Sequence, residues 1–569
     1  MTTPEDLERL RAEAAEAERR ADELAAALAR AESQEAPAAA EGPAPGAPED
    51  PAPDASVPED LDPAPDASLS DHARTIAQGY RFEGSALHLG ALVEDGAAVP
   101  AAQVRIPFGM LNRHGLVAGA TGTGKTRTLQ ALAEQVAAGG VPVFAADIKG
   151  DLTGLMVPGQ ASQKLLERTS SIGQDWTPEA CATEFFTLGG QGTGVPIRAT
   201  LESFGSLLLS RVLGLNATQE SSLALVFHWA KGRGIALRTL EDLRAVLVHL
   251  DGDGKPELRQ IGGISSATIG VILRELVAFS AEGADAFFGS PAIAVTDFLR
   301  TTSDGRGVVS LLEVPGVQDK PAVFSTFLLY LLRELFEVLP EVGDTEKPKL
   351  VFFFDEAHLL FADASKDFLA TVIQTVRLIR SKGVGVFFVT QTPKDVPGDV
   401  LAQLGSRIQH QLRAHTPQDA KALRASVSTY PHSDYDLEEV LTQLATGEAI
   451  ITVMSEKGAP TPVAWTRLRA PQASMDPAPA EQVAAAVAAS PLMATYGLAD
   501  AHEPPRFEAP ASADAGQDRV AREAETFEKP PRRRTKRAST RMSTGERVVN
   551  EVARTATREV LKRIFGRRR

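Results

Sequence analysis

The 569-residue sequence predicts an α/β fold on a mainly parallel sheet, and three observations point there. Short apolar runs alternate with helical stretches, one run enters a glycine-rich loop, and another ends in two carboxylates. The loop is the most specific of the three. Gly119-Ala120-Thr121-Gly122-Thr123-Gly124-Lys125-Thr126 matches the phosphate-loop pattern G-x-x-x-x-G-K-[ST] at every position. Gly115–Ala118 enters it as a strand would, and Arg127–Ala138 leaves it as a helix that Gly139-Gly140 can end. Crowded triphosphate oxygens need several backbone N–H groups turned toward them, which glycines allow, and the helix N-terminus adds its dipole. Lys125 is expected to reach the β- and γ-phosphates and Thr126 to ligate Mg²⁺. The predicted nucleotide-contacting set runs Gly119, Ala120, Thr121, Gly122, Thr123, Gly124, Lys125, Thr126 and Arg127.

The other predicted strands are Val141–Ala146, Gly307–Val314, Leu350–Phe354, Val384–Thr390 and Arg407–Leu412. Leu350–Phe354 runs into Asp355-Glu356. There Asp355 would hold the magnesium through water beside Thr126, and Glu356 would take the proton of the attacking water. The plainer alternative is a buried strand that meets solvent at two acids. The second acid points to an ATPase that does mechanical work. Val384–Thr390 ends at Gln391, read as a γ-phosphate sensor against the alternative of a simple turn at Gln391-Thr392-Pro393. Arg377, Arg380 and Lys382 precede that strand and Arg407 opens the next. An arginine brought to the γ-phosphate stabilises charge in the transition state, and in ring ATPases a neighbouring subunit supplies it. Arg380 is the leading candidate and Arg407 the second. His358 is read as a packing or supporting residue.

Around this core, expected over residues 80–469, the chain changes character. A mostly helical insertion is expected at about 152–299, with helices near Leu201–Leu213, Gln219–Lys231 and Leu240–Leu250, and a final hairpin pairs Ile450–Met454 with Pro462–Leu468. Residues 1–32 read as a helix. Leu7, Leu10, Ala14, Ala17, Ala21, Leu24 and Leu28 share a coiled-coil seam that could oligomerise or bind a partner protein, or simply leave a solitary charged helix. Residues 33–70 repeat Pro-Ala-Pro-Asp-Ala-Ser and have almost no large apolar residues, so a disordered tether is expected. Residues 470–537 read as a loosely structured linker with a short helix at Ala480–Ala489. Residues 538–569 read as a basic amphipathic helix.

Net charge is −15, yet Lys529–Arg569 holds 15 Lys/Arg against 3 Asp/Glu, a net of +12. That tail could contact DNA phosphates, dock on the acidic body or lie on an anionic membrane. Its apolar face is rich in valine and alanine, so no stable insertion is expected. Apolar residues make up 43%, enough for a substantial core, and no run reaches the length of a membrane span. Met1-Thr2-Thr3-Pro4 does not begin a signal peptide, and Cys181 is the single cysteine, which excludes internal disulfides. A soluble cytoplasmic protein is the expectation.

Arg113-His114-Gly115-Leu116 before the loop, Asp147–Leu152, Asn216–Glu220, Phe353–Phe361, Thr390-Gln391-Thr392-Pro393 and Leu404–His410 together resemble the HerA/FtsK group of P-loop motors. More narrowly, they resemble the bacterial YjgR-type family of HerA-like proteins, over roughly Tyr80–His502. The resemblance implies a RecA-like core of the additional-strand class, ATP with Mg²⁺, a homo-hexameric ring and DNA translocation. It further implies Gln391 as sensor and an arginine acting across subunits, which suits Arg380. The stretch Tyr80–Asn112 is too short for the β-barrel domain of HerA itself, which removes the ground for expecting its nuclease partner. A conformational switch or scaffold, or a protein-translocating motor that does not touch nucleic acid, stays open as the alternative.

Overall fold

A computed structural model describes residues 69–313, 321–361 and 366–507 of the chain. The N-terminal helix, most of the tether and the basic C-terminal segment expected above lie outside the described residues. Twelve strands form one sheet: β1 Ala86–Glu94, β2 Ala97–Pro107, β3 Gly115–Ala118, β4 Val143–Asp147, β5 Thr183–Leu188, β6 Val195–Ile197, β7 Val309–Glu313, β8 Leu350–Phe354, β9 Val384–Thr390, β10 Ser406–Gln409, β11 Glu448–Thr452 and β12 Ala464–Leu468. Their order is β2-β1-β12-β11-β10-β3-β9-β8-β4-β7-β5-β6. From β10 to β6 every neighbouring pair is parallel, and from β10 to β2 every pair is antiparallel. This is an α/β, RecA-like P-loop core of the additional-strand type, because β9 separates the loop strand β3 from the acid-bearing β8.

The central strands are apolar throughout because helices cover both faces. Side chains alternate between those faces. Phe352 and Phe354 join Phe144 and Phe388 in one cluster with the insertion helices, whereas Val351 and Phe353 join Val143, Ala145 and Phe387 against the helix Lys125–Ala138. The Phe144 and Phe352 rings lie 4.6 Å apart at a tilt of 34°, packing neighbouring strands β4 and β8 against each other.

Four differences from the sequence reading stand out. First, the segment before the loop forms the hairpin β1–β2, which adds to the main sheet by pairing β1 with β12. Its alternation was hidden because β1 is buried at six of its nine residues, five of them in a row. Second, the insertion includes two strands, β5 and the edge strand β6, ahead of its main helices. Third, the expected helix Leu201–Leu213 is two helices, Leu201–Phe204 and Ser206–Val212, broken at Gly205 with φ 79°. Fourth, residues 470–507, expected as a loose linker, are tied to the body. The Trp176 indole donates to the Pro471 carbonyl (2.7 Å), Gln472 N donates to buried Glu134 (2.9 Å), and the Tyr496 hydroxyl donates to Asp297 (2.7 Å). The helix expected at Ala480–Ala489 forms over those residues.

Candidate active site

Three adjacent strands end together. The register sets Ala118 beside Thr390 and Phe354 beside Phe388, so the loop after β3, Gln391 after β9 and Asp355-Glu356 after β8 meet at one edge of the sheet. Gly119 N donates to the Thr390 carbonyl (3.2 Å), which ties the loop to the β9 tip. The loop turns through Gly122 (φ 83°) and Gly124 (φ 109°), a backbone region costly for other residues. A side chain on Gly119 would collide with His410, at 2.4 Å from its Cβ, so the floor of the loop is packed while the space at Gly122 is open.

Lys125 Nζ donates to the carbonyls of Gly119 (2.7 Å) and Ala120 (3.2 Å), curling back over the loop it would serve. Burial lowers its pKa, opposed by the charges of Glu356 and Asp355. Thr123 Oγ1 donates to the Ala120 carbonyl (2.7 Å), and Gly447 N donates to the Thr123 carbonyl (3.0 Å). Arg127 lies along its own helix, donating to Gln130 Oε1 at 3.0 Å.

Asp355 and Glu356 are both buried. Burial, reinforced by the charge of Glu356, pushes Asp355 up to about 6. Glu356 N donates to Asp355 Oδ1 (2.9 Å), and Glu356 itself has φ 48°, which is uncommon for a non-glycine residue. Its Oε1 is ion-paired with Lys149. Its Oε2 lies 3.2 Å from His358 Nδ1 and accepts no hydrogen bond. His358 is therefore a neighbour of the acid and does not belong to the packed interior.

Gln391 is exposed at the mouth of this edge. Asp395 braces the residues on either side, accepting from Thr390 Oγ1 (2.9 Å) and from Thr392 N (3.0 Å). The two arginines do not join the site of their own chain. Arg380 sits before the first residue of seven-residue β9, at its far end and roughly 20 Å from the loop edge at ordinary strand rise, 3.6 Å from Asp344. Arg113 shares that same carboxylate at 3.5 Å. Arg407 donates to Thr429 Oγ1 (2.6 Å) and lies 5.8 Å over the Tyr430 ring.

The residue that the sequence reading missed is Lys149. Asp147 accepts from Gly150 N (2.8 Å), Asp151 N (3.2 Å) and Leu152 N (2.9 Å), curling the chain after β4 into a turn that carries Lys149 to Glu356. A lysine two residues past a buried strand was the available signal.

The family model described as helicase HerA-like C-terminal matches residues 93–569. The chain belongs to this HerA-like family. The HerA-like chain is 33% identical over 150 residues to a protein of Methanocaldococcus jannaschii named "Probable helicase MJECL08", a match over 25% of this chain and 28% of that relative. It thus spans under a third of that relative's length. Among solved structures, the bacterial conjugative coupling protein TrwB is similar at 16% identity, 72% coverage of this chain, 94% of that chain and a TM-score of 0.46. VirB4 of Thermoanaerobacter pseudethanolicus is similar at 17% identity, 68% and 97% coverage and a TM-score of 0.43. With its complete phosphate loop and Asp-Glu pair, the HerA-like chain carries the core of a P-loop nucleotide-binding protein.

Proposed function

We propose that the chain hydrolyses ATP with Mg²⁺ and uses the energy, as a hexameric ring, to translocate on or remodel DNA. The observation that carries the hydrolytic part is the convergence of Lys125, Thr126, Asp355, Glu356 and Gln391 at one sheet edge. The residues fit a magnesium–triphosphate group. The loop carries left-handed glycines, its lysine is bonded only to carbonyls, and a buried carboxylate oxygen has no hydrogen-bond donor. When bound, magnesium supplies charge neutralisation on the phosphate oxygens. Lys125 binds those oxygens, Thr126 and Asp355 hold the ion, Glu356 takes the proton of the attacking water, and Gln391 senses the γ-phosphate.

Two observations support shared sites between subunits. Arg380 is remote from its own phosphate loop, and it and Arg113 face a single carboxylate, leaving positive charge unbalanced at that edge. Supporting DNA as the track are the family, the helicase name of a relative and the net +12 C-terminal segment. The acidic remainder of the chain favours the second reading, a switch, scaffold or protein motor that leaves nucleic acid alone. Steady-state ATPase rates with and without duplex DNA separate the two. The proposal expects several-fold stimulation by DNA, and an unchanged rate at saturating duplex favours the second reading.

A further inference from the structure

Glu356 has two oxygens in different circumstances. Oε1 is engaged by Lys149, and Oε2 is buried, 3.2 Å from His358 Nδ1, and accepts no hydrogen bond. The backbone at Glu356 lies in the left-handed region, φ 48°, two residues past the end of β8, so the side chain leaves the sheet in a direction the strand does not set. What holds it is its partners. Lys149 is held in turn, because Asp147 accepts three backbone N–H groups from residues 150–152 and so shapes the turn that carries it. β4 and β8 are hydrogen-bonded neighbours, with Ala146 beside Phe354, so the lysine and the acid leave adjacent strand tips.

We propose that Lys149 is a positioning residue for hydrolysis: it ties down Oε1 of Glu356 and leaves Oε2 as the oxygen that receives the proton of the attacking water. This rests on the reading of Glu356 as the water-activating acid. A general base must be held within hydrogen-bond reach of the proton it takes, and loss of that hold costs rate without costing substrate affinity. Lys149 is 41% exposed and packs into no core, so its removal leaves the fold intact.

The test uses the full chain with Lys149→Met, Lys149→Arg, Glu356→Gln and the Lys149→Met/Glu356→Gln double variant. Measured quantities are kcat, KM, the affinity for a fluorescent ATP analogue and the thermal midpoint. Lys149→Met should lower kcat about tenfold or more, with KM and analogue affinity within about twofold of the parent. Lys149→Arg, which keeps the charge, should restore much of kcat. The double variant should be no slower than Glu356→Gln alone, because the lysine acts through the acid. An unchanged or raised kcat in Lys149→Met, with Glu356→Gln inactive, overturns this inference and leaves the hydrolytic reading standing; a raised kcat would mean that the lysine restrains the acid. If Lys149→Met loses analogue affinity as much as kcat, or Lys149→Arg fails to rescue, the positioning role is likewise refuted. Full turnover in Glu356→Gln removes both readings together.

Discussion

His114, the residue before β3, shows how far a single side chain can commit to one protonation state. Its Nδ1 accepts from Val386 N (3.0 Å), so the proton sits on Nε2, which donates to the Val376 carbonyl (2.8 Å). Burial drives its pKa down to about 4, with the charge of Arg380 adding to the effect. A folded pKa depressed below the unfolded value near 6.5 means that stability is fully present above pH 6.5 and is lost as pH falls toward 4. Urea unfolding at pH 7 and pH 5 should therefore show an acid loss that is smaller in His114→Gln, and equal slopes in the two proteins would refute this. Across the whole window the difference is on the order of 3 kcal/mol. In the active site, Lys125→Ala should abolish nucleotide binding. Glu356→Gln should bind ATP normally while losing roughly 100-fold or more in turnover, as measured by analogue titration beside phosphate release. The phosphate loop was legible because its chemistry is carried by eight consecutive residues. The Lys149–Glu356 pair was not, since its members stand 207 positions apart and meet only through the order of the strands.

At the scale of the element, helix ends and strand contacts carry their own tests. Asn216 caps the helix Ala217–Gly232, accepting from Thr218 N and Gln219 N while Gln219 Oε1 accepts from Asn216 N. Asn216→Ala should cost about 1 kcal/mol in urea unfolding without changing ATP affinity. The β1–β12 pairing depends on Gly90, where a Cβ would lie 2.0 Å from the Arg467 carbonyl oxygen. Gly90→Val should destabilise the fold by roughly 2 kcal/mol or more, because backbone has to move to admit it. A wild-type unfolding midpoint would show that the hairpin is not bound to the sheet through this contact. The buried parallel strands were readable as apolar runs bounded by turns, and β3, β8 and β9 have the limits that the sequence predicted. The hairpin and the strands β5 and β6 were not, since β1, β5 and β6 are buried along most of their length and show no polar–apolar alternation, while β6 is only three residues long.

For the whole molecule, the fold gathers the candidate site within one chain and places Arg380, the proposed trans arginine, at the opposite end of a central strand. Mixing Arg380→Ala chains with Glu356→Gln chains should restore part of the ATPase activity that each lacks, because some interfaces then carry both intact groups. Activity that stays at the average of the two variants would place the arginine's role elsewhere. Residues 1–68 carry no catalytic motif, and the described body begins just before Ser70 caps the helix Asp71–Gly79. Removing residues 1–68 should leave ATPase activity within about twofold. Cutting through Tyr80, whose hydroxyl donates to the carbonyls of Ile451 and Pro462, should destabilise the body.

Read alone, the sequence determined the α/β class, the phosphate loop, the acid pair and the strand that ends at Gln391. Each of these depends on a few neighbouring residues whose chemistry or periodicity is local. The place of β9 between β3 and β8 was expected from the family resemblance and is observed, whereas tertiary structure alone decided that Arg380 is held away from the edge where the three motifs meet. It also decided that a lysine from the turn after β4 meets Glu356 after β8, and that residues 470–507 are tied to the body. Strand order is set by which buried faces fit together across the sheet, a property of pairs of distant segments that no single stretch of the chain displays.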